Sequence, residues 1–419
     1  MAKVKQNIGF SYFTSREYLV RKRVETWFPI LRQLGATQVV LESGFDRAIP
    51  EDVFQTARKN GLEPIVHFKG ELPLARQFNS LVVILDAYAK WDVQFIILGE
   101  KPNTKSAWPA AGWHYDHLID HFLDRFIPIA NYAEKIGLTP VLPPLQPGGD
   151  YWDTAFLEMV MQGLKQRKMD ALLEKIGLAS FGFTFNKSLN WGSGGPEMWA
   201  GSKPYFTPDG QEDQIGFQNY EWARAVFNRV TGRKPTVLIL DAGNPGPIGP
   251  PQDKDQVIET LQLIHSACLG EVEPEAPKLS GPILGCVFSL ETLTELMEGN
   301  LSFPILQSIF KSDQVVDVPD DSKSAATDKS IEHYLLLPAH ESGVSDVVLN
   351  KVRPIIKQLQ PTIGFSVSEA ILARRVSVFP DPLLFPEEKI NALRLAGCQV
   401  EVLPQSGIEI ATQLHGMTF

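Results

Sequence analysis

IGFSYF (residues 8–13), REYLVRKRVETWFPILRQLG (16–35), TQVVLES (37–43), PEDVFQTARKNG (50–61) and EPIVHF (63–68) decide the fold, because strand and helix periods alternate across them. The first helix stops at Gly35, and the second starts after Pro50 and stops at Gly61, the residues that favour those ends. Working outward, apolar periodicity from Leu74 to Trp91 predicts a third helix and VQFIILGE a fourth strand. YDHLIDHFLDRFIPIANYAEKIG predicts a long helix that Pro128 bends or divides, and TPVLPPL is the fifth strand.

The rhythm continues with longer embellishments. Residues 155 to 176 read as one helix, ASFGFTF as strand six, and residues 190 to 214 as a Gly, Pro and aromatic-rich excursion. NYEWARAVFNRVTGR, TVLILDAG, residues 255 to 268, ILGCVFS and SLETLTELME complete the order. Eight helix-separated strands without G-x-G-x-x-G after the first predict a closed (β/α)₈ TIM barrel, and the fold class is α/β. The barrel is assigned to residues 1–316, a polar linker to 317–330 and a small separate α/β domain to 331–419. In that domain HYLLLP, TIGFS, VSVFP and QVEVLP are strand candidates, with helical stretches near 347–359, 369–375 and 387–395. Arg374 and Arg375 are read there as a solvated helix end, and Ser342 and His340 lack the third partner of a Ser-His hydrolase.

The chain has 419 residues, with 39 Lys+Arg against 49 Asp+Glu, a net charge of −10. That balance disfavours broad attraction to nucleic acid or to an anionic membrane, so neither is expected as a partner. Cys268, Cys286 and Cys398 are too widely spaced for a short-spaced metal pair and read as buried small hydrophobes. Together with a start that runs directly into a strand, they lead to the expectation of a cytoplasmic protein. His114, His117 and His121 have helical spacing but no H-E-x-x-H pattern, and neither a metal nor a cofactor is expected.

In a barrel of this kind the loops after the strands carry the chemistry. Glu42, His67, Glu100 and Asp241 stand at the ends of strands two, three, four and seven. Glu100, after a run of aliphatics in ILGEKPN, is the candidate general acid, with a pKa expected to rise on partial burial. Asp241 in TVLILDAGNPG is the opposing carboxylate. His67 is a candidate to hold a sugar hydroxyl or tune a carboxylate, and Glu42 to orient a substrate or satisfy an arginine. Asn186 and Trp191, in TFNKSLNWGSGG, pair an amide with an apolar ring face, as carbohydrate recognition requires. Asp46, Trp108, Trp113, Tyr151 and Trp152 also stand in active-face loops, and the excursion is expected to form a wall or partial lid.

With these residues in place, the barrel resembles the clan of retaining glycoside hydrolases that includes many cellulases, mannanases and β-glycosidases. The resemblance implies an acid/base Glu after strand four, often in N-E-P, and a nucleophilic Glu after strand seven. Glu100 in GEKPN matches the first, with Gly99 in the place of Asn and Lys101 before Pro102; Asp241 in LDAG takes the second place with a shorter side chain. It implies a hydrolase acting on a β-linked oligosaccharide or glycoside, with a carbohydrate ligand. The alternative is a catalytically inactive carbohydrate-binding or protein-interaction protein on the same barrel, with a protein partner for the C-terminal domain.

Overall fold

Each barrel strand alternates residues between the inside of a closed sheet and its helical coat. In Glu63–Phe68 (β3), Ile65 packs with the inner cluster of Val40, Ile97, Val141, Ala179 and Leu238, whereas Val66 and Phe68 join the outer core. The computed structural model describes residues 7–73, 78–109, 113, 117–247, 253–271, 273–297, 301–310, 329, 331–338, 344–359 and 361–404. The remaining barrel strands are Ile8–Ser11 (β1), Gln38–Ser43 (β2), Phe95–Leu98 (β4), Thr139–Leu142 (β5), Gly177–Phe181 (β6), Val237–Leu240 (β7) and Ile283–Ser289 (β8). All neighbours are parallel, and β1 closes on β8 in the register Ile8↔Cys286 to Ser11↔Ser289. The (β/α)₈ TIM barrel is therefore complete.

The helical coat begins with Arg21–Gln33 (α1), Glu51–Lys59 (α2), Phe78–Lys90 (α3) and Leu118–Lys135 (α4). Pro128 does not divide α4, contrary to one of the two outcomes expected for it. Phe122, Leu123, Phe126, Ile129, Ala130 and Ala133 bury one continuous face. At roughly 1.5 to 3 kcal/mol for each large side chain, that burial outweighs a proline penalty of about 3 kcal/mol. The single helix expected over 155–176 is instead two, Asp153–Gln166 (α5) and Asp170–Lys175 (α6), with Lys168 left-handed between them at φ +60°. The polar run KQRK at 165–168 offers the helix nothing apolar to bury.

Gly195–Met198 (α7) is a short turn within the excursion. Asn219–Thr231 (α8), Lys254–Cys268 (α9), Leu290–Leu296 (α10) and Phe303–Ile309 (α11) complete the coat. The three free cysteines are buried, as small hydrophobes would be. No described helix is long and apolar enough to cross a membrane.

A separate parallel sheet follows, in the order β10-β9-β11-β12, from Ile331–Leu336 (β9), Thr362–Gly364 (β10), Ala373–Val378 (β11) and Gln399–Val402 (β12). Helices Asp346–Leu359 (α12), Val367–Ala370 (α13) and Glu387–Leu395 (α14) connect them. Leu335, Leu337, Val352 and Ile355 pack in one cluster, and Tyr334, Leu336, Val376 and Leu393 in another, as a two-faced sheet requires. The helix expected over 369–375 ends early, and Arg374 and Arg375 stand on β11, where they pair with Glu332 and Glu401 across strands. They are not a solvated helix end. Lys329, inside the stretch read as linker, donates to Ile371 O at 2.7 Å and is tied to this sheet. Ser342 and His340 lie outside the described residues.

Candidate active site

Strand alternation carries Ile65, His67 and Lys69 along one face of β3 and its extension, so both polar residues follow Ile65 to the inner side. The same rule places Glu42 two residues beyond Val40. It would aim Glu100, three residues beyond Ile97, at the helices. Gly99 reverses that by taking φ +92°, and Lys101 (φ +50°) and Asp241 (φ +49°) are left-handed as well. For a non-glycine residue this conformation costs on the order of 1 kcal/mol, and such strain collects at functional sites.

The result is a charge cluster at the carboxyl ends of the strands. Lys69 Nζ lies 3.2 Å from Glu42 Oε2 and 3.6 Å from Glu100 Oε2. Lys101 Nζ lies 3.2 Å from the other Glu100 oxygen and 5.0 Å from the centre of the Phe181 ring. His67 Nε2 is 3.1 Å from Gly99 O; a carbonyl only accepts, so Nε2 carries the proton and donates. His67 thereby fastens the left-handed turn that presents Glu100. Burial, aided by Lys69, lowers the His67 pKa to about 4, so its ring is neutral at pH 7.

The two carboxyl groups are pushed in opposite directions. Burial raises the Asp241 pKa, and the charge of Glu100 adds to this against the opposing pull of Lys69. Burial also acts to raise Glu100, but Lys69, His67 and Lys101 outweigh it and its pKa is lowered. This reverses the expectation that partial burial would keep Glu100 protonated. Burial works to depress Lys69 too, yet Glu100, Glu42 and Asp241 hold its pKa above the usual value, so it is a stable ammonium. Lys69→Met is expected to raise the Glu100 pKa, because the nearest stabilising cation is gone. Carbodiimide labelling of Glu100 followed from pH 3 to 7 by mass spectrometry checks this; an unmoved midpoint contradicts it.

A recess behind Glu100, bounded by Gly70, Leu72, Gly99, Trp108 and Arg125, has a volume of about 20 Å³. That is room for about one water. Trp108 is occupied structurally, donating to Pro102 O at 2.8 Å beneath the Arg125 guanidinium.

Of the residues chosen from sequence, Glu42, His67, Glu100 and Asp241 are brought into one electrostatic group. Asn186 stands beyond β6 beside Phe185, both left-handed. Trp191 packs within the excursion: its Nε1 donates to Asp213 at 2.9 Å and Lys187 Nζ lies 4.1 Å from the centre of its ring. Lys69 and Lys101 were missed, although HFKG and GEKPN placed them beside selected residues. The available signal was the i, i+2 spacing of His67 and Lys69.

The excursion is at the carboxyl end of the barrel. The Tyr205 hydroxyl accepts from Trp152 N at 2.8 Å in the β5–α5 loop, and Gln214 donates to Asp153 at the start of α5. Asp213 organises it, accepting from Trp191, Lys187, Thr207 and Ile215 N at 2.9 to 3.0 Å. Burial opposes ionisation of Asp213, but these donors prevail and lower its pKa. Asp213→Ala strands an indole N–H and an ammonium, a cost of about 2 kcal/mol or more. Chymotrypsin is expected to cut within 190–214 faster in this variant; equal cleavage rates would remove Asp213 as the organiser.

Barrel, site and small sheet together define the class as a (β/α)₈ protein with a cluster of lysines and carboxylates at its mouth. No protein-family model and no curated protein matches the chain. The solved structures that match include glycoside hydrolases. A glucosidase from Croceicoccus marinus is 11% identical over 68% of this chain, which spans 58% of that one, with a TM-score of 0.43. A GH5 cellulase from an Icelandic hot spring isolate is 14% identical, with coverages of 68% and 75% and a TM-score of 0.39. Thermotoga maritima Cel5A, solved in complex with cellobiose, is 14% identical, with coverages of 66% and 92% and a TM-score of 0.39. At these identities and TM-scores the matches add nothing to the chemistry read from the site.

Proposed function

We propose that the barrel mouth is the active site of a glycoside hydrolase acting on a β-linked oligosaccharide or glycoside through Glu100 and Asp241. The observation that carries this reading is the placement of Glu100 beyond β4, between Lys69 and Lys101, and of Asp241 beyond β7 at the same end of the barrel; burial raises the Asp241 pKa and the lysines lower that of Glu100. Glycoside cleavage needs one protonated and one ionised carboxyl group. The roles are exchanged relative to those the sequence suggested. Asp241, the carboxyl group whose pKa is raised, gives a proton to the departing glycosidic oxygen, while the Glu100 carboxylate attacks the anomeric carbon or activates the water that does so. His67 and Glu42 hold Glu100 and Lys69 in place, and the excursion supplies a wall.

A second reading is a carbohydrate-binding protein without turnover. It is favoured by Lys69 and Lys101, which engage both oxygens of Glu100 and compete for the electrons a nucleophile would use. A panel of aryl glycosides and β-linked oligosaccharides, assayed with wild type, Glu100→Gln and Asp241→Asn, separates the two. The enzyme reading requires wild-type turnover lost in both variants. Glycan binding without turnover in all three supports the binding protein, and neither binding nor turnover sinks both.

A further inference from the structure

The β2–α2 loop ends in a side chain that leaves the barrel. The Arg47 guanidinium, 8% exposed, reaches the small C-terminal sheet and pairs with Glu369 at 3.1 Å, itself 10% exposed. Glu369 also accepts from the Tyr334 hydroxyl at 2.9 Å. Gly364 lines this receptacle: a Cβ there would fall 2.0 Å from the Tyr334 hydroxyl and 3.3 Å from Arg47 Cδ. The C-terminal unit thus has a fitted hole for a barrel side chain, formed from β9, β10 and α13.

The root of the same loop belongs to the site. Glu42, which pairs with Lys69, precedes Ser43. Ser43 O accepts from the backbone N–H of Lys69 at 3.2 Å, and Phe45 stacks on Phe68 at 5.1 Å. The Tyr88 hydroxyl gathers the two ends of the loop, 2.7 Å from Ser43 Oγ and 2.9 Å from Ile49 N. Continuous contact therefore runs from Glu369 through Arg47 and the 43–49 loop to Lys69, and from Lys69 to Glu100.

We propose that the C-terminal domain is a positioning part of the barrel site, with Arg47 and Glu369 as the residues through which it holds Lys69 against Glu100. Neither residue is catalytic. Their role is to fix the loop that leaves β2 directly after Glu42 and Ser43, whose carboxylate and carbonyl hold the Lys69 ammonium and backbone N–H. For its importance to chemistry the inference rests on the glycosidase reading, but the coupling itself is measurable without turnover.

The test uses the full chain carrying Glu369→Gln, which keeps the side-chain shape and removes the charge, with Glu369→Asp as the rescue. Acetylation of Lys69 by an amine-reactive reagent is followed by mass spectrometry, with exposed Lys175 and Lys203 as internal references. Releasing the loop is expected to speed labelling of Lys69 by about threefold or more through local opening, with the references unchanged and Glu369→Asp nearer wild type. Faster proteolysis between the two units with unchanged Lys69 labelling makes the pair a structural tether only and overturns the proposal. No change in either readout overturns it as well. Should Glu369→Gln fail to fold, Tyr334→Phe weakens the same receptacle and is judged by the same labelling ratio. Absence of glycoside turnover in the wild type defeats the proposed function and leaves this result standing or falling on Lys69.

Discussion

Asp241→Asn is expected to raise the melting temperature at neutral pH while removing most glycoside turnover. Burial lifts the Asp241 pKa, with Glu100 adding to the effect, so the folded state binds the proton more tightly than the unfolded chain does. The stabilisation associated with that proton is fully present below the unfolded value of about 3.9 and is lost as pH rises through the folded value. Above the folded value the ionised group is therefore a burden, and below it Asp241 keeps its proton. Asparagine carries no charge and tolerates the left-handed backbone at φ +49°. A gain of about 1 kcal/mol fits the usual exchange of stability for function. Melting curves between pH 4 and 8 should show the variant's advantage widening toward neutrality; a constant or negative difference is incompatible with a raised Asp241 pKa.

Turnover responds in the opposite direction. Loss of a positioned general acid lowers rates by about 10² to 10⁴-fold. The loss should be smaller for a nitrophenyl glycoside, whose leaving group departs without much protonation, than for an oligosaccharide. Glu100→Gln, which removes the attacking or water-activating carboxylate, should impair both substrates alike. Equal sensitivity of the two substrates to Asp241→Asn would return Asp241 to the nucleophilic place that sequence alone suggested.

Phe10→Ala should be strongly destabilising. Phe10 is fully buried on β1, where the barrel closes on β8, and its ring meets Phe310 edge-on at 5.2 Å and Phe288 at 5.8 Å. Phe288 and Phe310 are themselves 4.9 Å apart, so truncation removes one member of a three-ring cluster. The expected cost is about 3 to 5 kcal/mol, from lost burial plus the cavity left behind. Taking roughly 2 to 4 °C per kcal/mol for a large domain, the melting temperature should fall on the order of 10 °C. Leu395→Ala, at a side chain 90% exposed on α14, is the control and should change little. A shift of only a degree or two in Phe10→Ala would mean that the seam can repack around the gap.

Some of this was written in the sequence because its physical cause is local. Apolar period depends on neighbours a few residues away, so eight strands, their helices and the second small sheet could be read from the chain. Strand ends can be placed the same way, and Glu42, His67, Glu100 and Asp241 were found by that rule. Where the cause is a partner distant in the chain, the tertiary structure decided. The pKa of Glu100 is lowered first by Lys69, across the β3–β4 neighbourhood, with Lys101 acting beside it after the left-handed Gly99. Trp191 was chosen in sequence for its ring face, and only the fold shows that Asp213, 22 residues away, takes its N–H. Pro128 was a local warning overruled by a helix face packed on the barrel. Nothing in the sequence marks the pairing of Arg47 with Glu369, more than three hundred residues later, because an ion pair depends on distance in space and leaves no periodic trace along the chain.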